Sequence, residues 1–121
     1  KKYRRGGMQM LSAELLSFIV GNLIIKNMVD RLRPCQIDET VSLIVKIPFD
    51  SSFPSGHTLN GITAAVTLMF IDKRMGIPAI VLAAFSRMYN FMHFPTDILA
   101  GAVLGVVSAV FVNFLFKRAG N

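Results

Sequence analysis

Residues 98–116 read ILAGAVLGVVSAVFVNFLF, a run without one charged side chain. A helix needs roughly 20 mostly apolar residues to cross the hydrocarbon core of a bilayer, and this is the clearest such stretch in the chain. Working outward, residues 8–25 form a second apolar stretch, blemished by Glu14 and Asn22. An intramembrane carboxylate is costly, so Glu14 is expected to face other helices or lie near the boundary. Residues 58–71 make a third stretch, long enough if His57 and its neighbours form its first turn, and residues 77–92 a fourth, running past Arg87. Residues 33–53, with Pro34, Pro48, Asp38, Glu39 and Asp50, are too polar and too proline-marked to span. The links at 72–76 and 94–96 are tight. The expected fold is therefore all-α: an integral membrane bundle of four transmembrane helices in up-and-down order, with residues 1–121 as a single membrane-embedded domain. Gly101 and Gly105, with Ser108 beyond, offer the last helix a small face for close packing.

Bulk composition agrees. Of 121 residues, 53% are hydrophobic and only 17% charged, and the mean hydropathy is positive, which is unusual for a water-soluble domain. The net charge of +6 raises nucleic acid as a partner, but the ten Phe lie within apolar runs and not on a basic face, so that class is set aside. A single cysteine, Cys35, excludes an internal disulfide and a cysteine-based zinc site, and reads as a small hydrophobe. The chain begins at Lys1 with no initiator Met and no signal peptide, so further sequence upstream is expected. In the four-span reading Lys1, Lys2, Arg4, Arg5, Lys73, Arg74, Lys117 and Arg118 share one side, while Lys26, Arg31, Arg33, Lys46 and Arg87 share the other. The richer side is expected to be cytoplasmic. Cys35 and residue 94 should then be open to reagents from outside.

Three short strings carry the chemistry. Lys26 and Arg33 are seven apart, about two helical turns, so a helical continuation of the first span would aim both cations the same way. Two cations on one face suit an anion, although snorkelling to headgroups, or a Lys26–Asp30 pair at i+4, would use the same residues. In Pro54-Ser55-Gly56-His57, Ser55 is a natural N-cap and Gly56 allows close approach of backbone and ligand at a helix N-terminus. Ser86-Arg87 is followed by His93 and Asp97. Asp97 falls in the first turn of the last helix, where a carboxylate also serves as a plain cap; as a functional group it would accept a hydrogen bond from His93 and fix its tautomer. No cluster of carboxylates or cysteines suggests a metal site, and no cofactor is implied.

In order and spacing these strings resemble the three-part signature of the type 2 phosphatidic acid phosphatase superfamily, which also holds bacterial acid phosphatases and vanadium-dependent haloperoxidases. Every signature position matches: Lys26, Arg33 and Pro34; Pro54, Ser55, Gly56 and His57; Ser86, Arg87, His93 and Asp97. The resemblance implies a phosphohistidine mechanism. His93 would attack phosphorus, Asp97 would orient it, and His57 would protonate the leaving oxygen and then activate water. Lys26, Arg33, Ser55, Gly56 and Arg87 would hold the non-bridging oxygens. Membrane members of the family usually have six spans, so helices preceding residue 1 are expected.

The implied function is metal-independent hydrolysis of a phosphomonoester or terminal diphosphate on a membrane lipid, at the extracytoplasmic face of the cell membrane. Phosphatidic acid, phosphatidylglycerol phosphate and undecaprenyl diphosphate are the candidate substrates. The haloperoxidases are soluble and much larger, which counts against that branch. The rival from another class is a catalytically silent membrane protein that binds lipid headgroups; headgroup binding needs cations, and not an oriented imidazole.

Overall fold

The computed structural model describes residues 1–38, 40, 46–88 and 93–120, without the side chains of Lys2 and of residues 84–88. Among the described residues all regular structure is helical. The first helix is continuous over residues 2–28: an α-helical part, Lys2–Ser17, a wider π-helical part, Phe18–Ile25, and a last turn, Lys26–Met28. A short helix, Pro34–Ile37, follows, then the central helix Gly56–Ile71, the Lys73–Met88 helix and the last helix Pro95–Arg118.

The expectation of one helix running from Lys26 to Arg33 does not hold. The first helix ends at Met28, and Val29 is already extended. Proline crowds the residue before it out of the α region, and Arg33, before Pro34, has φ −79° and ψ 152°. The link between the central helix and its successor is also tighter than expected. Asp72 alone separates them, and its carboxylate accepts from Arg74 N at 2.9 Å.

The central helix is the hub, packed against the first helix, the Lys73–Met88 helix and the last helix. Small residues permit this. A Cβ on Gly21 would come within 2.1 Å of Leu59 Cδ2, one on Gly101 within 2.7 Å of the Ser55 carbonyl, and one on Gly105 within 2.8 Å of the Leu59 carbonyl. The glycine face read from the last helix thus has the central helix as its partner. The interior is built from small and hydroxylated side chains such as Ala13, Ser17, Thr63, Thr67, Ser108 and Ala109, while Leu11, Leu15, Leu99, Val103, Val107, Phe111 and Phe114 point outward. A water-soluble domain sorts its residues the other way; this arrangement suits an apolar solvent, where packing and not hydrophobic contrast holds helices together.

Two helices, Tyr3–Met28 and Pro95–Arg118, are long and apolar enough to cross a membrane, and Gly56–Ile71 is a shorter apolar helix. The bundle is polarised. At one end Arg5 donates to the Phe116 carbonyl and Gly6 lies against Ile71, which gathers the chain's basic start, the 71–74 turn and the basic end of the last helix. The motif residues Lys26, Ser55 and Asp97 lie at the other ends of the same helices, and Arg33 follows in the segment after the first of them.

Candidate functional site

The site is assembled where the first helix stops, the central helix starts and the last helix starts. Ser55 caps the central helix: it is fully buried, and its Oγ accepts from Thr58 N at 3.5 Å and pairs with Thr58 Oγ1 at 3.0 Å. Its own N–H donates to the Asp97 carbonyl at 3.0 Å, tying the second string to the third. Gly56 follows, where a Cβ would sit 2.7 Å from Asn22 Oδ1 and 3.7 Å from Lys26 Nζ. The missing side chain therefore admits the first helix, which brings Lys26 to the capped N-terminus. Lys26, Gly56, His57 and Asp50 line an open cavity of about 590 Å³, in which His57 is exposed.

Lys26 and Arg33 do converge, although by a turn of the chain and not by helical periodicity. Lys26 Nζ lies 2.5 Å from Asp50 Oδ2 and Arg33 Nη2 lies 2.7 Å from Asp50 Oδ1. Arg33 is almost wholly buried, at 2% exposure, and Asp50 is half exposed. Burial alone would raise the Asp50 carboxyl, but the two cations outweigh it and hold it below the ordinary carboxylate range. Two cations gripping one carboxylate form a seat for an anion.

His93 stands beside that seat. Its Nε2 is 3.2 Å from Arg33 Nη1, and its Nδ1 is 2.9 Å from the Ser52 carbonyl. A carbonyl can only accept, so Nδ1 carries the proton and Nε2 presents its lone pair toward Arg33. Burial, with the charges of Arg33 and Lys26, lowers the His93 pKa below that of ordinary imidazole, against the opposing pulls of the Ser52 carbonyl and Asp97. A neutral, nucleophilic ring is the form so favoured.

Asp97 is completely buried. It does not make the expected hydrogen bond to His93, because Nδ1 lies 3.9 Å from Oδ2 and is already committed to Ser52. Its Oδ2 accepts instead from the Ser52 hydroxyl and, at 2.8 Å, from Phe94 N, the capping contact its first-turn position allows. Its Oδ1 accepts from Arg31 Nη1 at 2.8 Å. Pro95 opens the helix at a position whose N–H would have no partner in any case. Cys35 is 4% exposed, so its thiol is shielded in the folded chain, contrary to the expectation of an accessible label site. The side chains of Ser86 and Arg87 lie outside the described residues, although both belong to the Lys73–Met88 helix.

Four residues at the site had not been singled out from sequence: Asn22, Arg31, Asp50 and Ser52. A signal for Arg31 was present, since an extended Arg33 before proline puts Arg31, two residues earlier, on the same side of the strand-like segment. Asp50 offers no such pattern; it was legible only as one more acid in a polar loop.

Two cations holding a carboxylate beside a histidine, within an apolar helical bundle, make an arrangement suited to an anion at the bundle's end. The particular family follows from comparison: the chain belongs to the PAP2 superfamily, whose family model matches residues 6–120. It is 33% identical over 109 residues to an undecaprenyl-diphosphatase of Sulfolobus acidocaldarius, a match covering 87% of this chain and 52% of the relative. It is 34% identical over 103 residues to the bacitracin transport permease protein BcrC of Bacillus licheniformis, covering 83% and 48%. A lipid A 4'-phosphatase of Bacteroides thetaiotaomicron is 31% identical over 94 residues, covering 69% and 42%. The chain spans about half the length of the curated relatives it matches.

Proposed function

We propose that this chain is the catalytic core of a metal-independent membrane lipid phosphatase, which removes a phosphomonoester or terminal diphosphate group through a phosphohistidine. The observation that carries this reading is the Asp50 carboxylate held by Lys26 and Arg33, with His93 Nε2 3.2 Å from Arg33. A substrate phosphoryl group bound by the same two cations would lie within reach of that lone pair. The roles then follow. Lys26 and Arg33, with the N-terminal turn of the central helix at Ser55 and Gly56 and with Arg87, hold the non-bridging oxygens and stabilise charge as it develops. His93 attacks phosphorus. His57, exposed in the cavity, protonates the departing lipid oxygen and later takes a proton from water. Asp97 holds the turn that presents His93.

Among lipid phosphates we favour a polyprenyl diphosphate, on the strength of the relatives named undecaprenyl-diphosphatase. The proposed topology has four spans in this chain, with the site on the extracytoplasmic face; its support is the polarity of the bundle, basic residues at one end and the site at the other. The decisive experiment is phosphate release by the full-length protein from a panel of phosphatidic acid, phosphatidylglycerol phosphate and undecaprenyl diphosphate, with chelator present. Release in chelator, abolished by vanadate, is expected. A strict need for magnesium or zinc, restored on readdition, would refute the mechanism.

The acid limb of kcat/KM should lie below the ordinary imidazole value of about 6.5, because His93 must be neutral to attack and its pKa is depressed. Activity is therefore retained as pH falls through that value and lost only lower; an acid limb above it would contradict the assignment.

Asp50 is itself an anion in the seat, and must yield to phosphate. Asp50→Asn removes the competing charge, so vanadate should inhibit the variant at lower concentration. Half-exposed pairs are each worth up to about 1 kcal/mol, so with two pairs the gain is at most about thirtyfold. Unchanged or weaker inhibition would show that Asp50 does not occupy the substrate position.

A further inference from the structure

Ser52 has every polar group committed. It is fully buried. Its N–H donates to the Arg31 carbonyl at 2.8 Å, its hydroxyl donates to Asp97 Oδ2, and its carbonyl accepts from His93 Nδ1 at 2.9 Å. Arg31 closes the circuit from the other side: Nη1 reaches Asp97 Oδ1 at 2.8 Å and Thr96 Oγ1 at 2.9 Å, and the guanidinium lies 4.2 Å over the Phe94 ring. Both oxygens of Asp97 are thereby engaged, while the imidazole is turned onto a neutral carbonyl. We propose that Ser52 and Arg31 are positioning residues for the nucleophile, holding Asp97 away from His93 so that the ring is aimed by the Ser52 carbonyl and Asp97 acts on it through Ser52.

The consequence is chemical. A carbonyl partner specifies the tautomer with Nε2 unprotonated without adding the basicity that a bonded carboxylate would give. Among the described residues the charged groups facing His93 are Arg33 and Lys26 from the first helix and the segment after it, and Asp97 from the last helix. Arg31 stands behind Asp97, and Asp50 behind Arg33. Deleting the Ser52 hydroxyl leaves Oδ2 one donor short in a site closed to water, with His93 Nδ1 only 3.9 Å away. The ring is then expected to swing onto the carboxylate, becoming easier to protonate.

This inference rests on the phosphatase reading for its kinetic arm only. In the full-length protein, Ser52→Ala should lower kcat for nitrophenyl phosphate about ten- to a hundredfold, by analogy with removal of the outer hydrogen-bond partner of a metal-bound histidine. It should leave KM near wild type, because the seat of Lys26 and Arg33 is untouched, and it should move the acid limb to higher pH. Ser52→Thr, which keeps the hydroxyl, should restore the wild-type profile. Arg31→Gln, which keeps a donor but loses the charge, should also raise the pH of the acid limb. The second arm needs no turnover. In the full-length protein carrying His57→Gln, the nitrogen-15 imidazole signals that a further His93→Gln change removes should show the Nδ1–H tautomer, and Ser52→Ala in that background should raise their titration midpoint. If the full-length wild type releases no phosphate, the phosphatase reading fails and the spectra still decide the positioning claim. An unchanged tautomer and midpoint in folded Ser52→Ala would overturn it, as would a loss confined to KM.

Discussion

His93→Ala is expected to lose all measurable turnover on every lipid phosphate, since among the described residues it is His93 whose Nε2 stands beside the Arg33 guanidinium of the anion seat. Binding should survive, because Lys26 and Arg33 converge on Asp50 independently of the imidazole. His57→Ala should behave differently. It lacks the acid for the leaving group, so hydrolysis of a lipid phosphate should fall by about 10²- to 10⁴-fold, the usual worth of general acid catalysis. A nitrophenyl phosphate, whose leaving group needs no proton, should still phosphorylate the His57→Ala protein, with slow hydrolysis afterwards because the same imidazole is missing when water attacks. Residual lipid hydrolysis in His93→Ala, or equal losses on both substrates in His57→Ala, would reverse or void the two assignments.

Asp97→Asn is the second large effect, and it should show in both stability and rate. The carboxylate faces donors on both sides: Arg31 at Oδ1, and Ser52 with Phe94 N at Oδ2. An amide has one oxygen, so whichever way it is placed its NH₂ meets a donor, and Arg31 loses its counter-charge. Breaking a buried pair in this way costs about 3–5 kcal/mol, and the lower end applies because Arg31 is 38% exposed. The same turn carries His93 and, through the Asp97 carbonyl, the Ser55 cap. Turnover should drop at least about ten- to a hundredfold, by analogy with the loss of a partner behind a metal-bound histidine, because Asp97 acts on the ring through Ser52 and does not bond it. Thermal unfolding in detergent and kcat, measured together, check this; a variant with wild-type stability and kcat would contradict it.

Much of this architecture could be read from the sequence, and the misses have physical causes. The last helix was legible because nothing but tertiary packing opposes an uncharged apolar run, and its Pro95 and Asp97 mark its start. The Ser55 cap was legible because an N-cap is a local interaction. From Lys26 to Arg33 a spacing of seven suggests two helical turns, but Pro34 already disfavours helix at Arg33. The Asp97–His93 bond was expected as the functional role of Asp97, beside plain capping as the alternative. It fails because Ser52, distant in sequence, supplies a better-placed acceptor to the ring and a donor to the carboxylate. Contacts of that kind depend on how the loop closes, which no local pattern encodes. The role of Asp50 was invisible for the same reason.

The central claim is that His93 becomes the phosphoryl carrier. Its most direct test is an alkaline detergent quench of the full-length protein mixed with labelled phosphate ester, under conditions where the first step outruns the second. The label should be recovered as a base-stable, acid-labile phosphohistidine that maps to His93 and is missing from His93→Ala. Label trapped on His93→Ala, or its absence from the wild type under those conditions, would contradict the account.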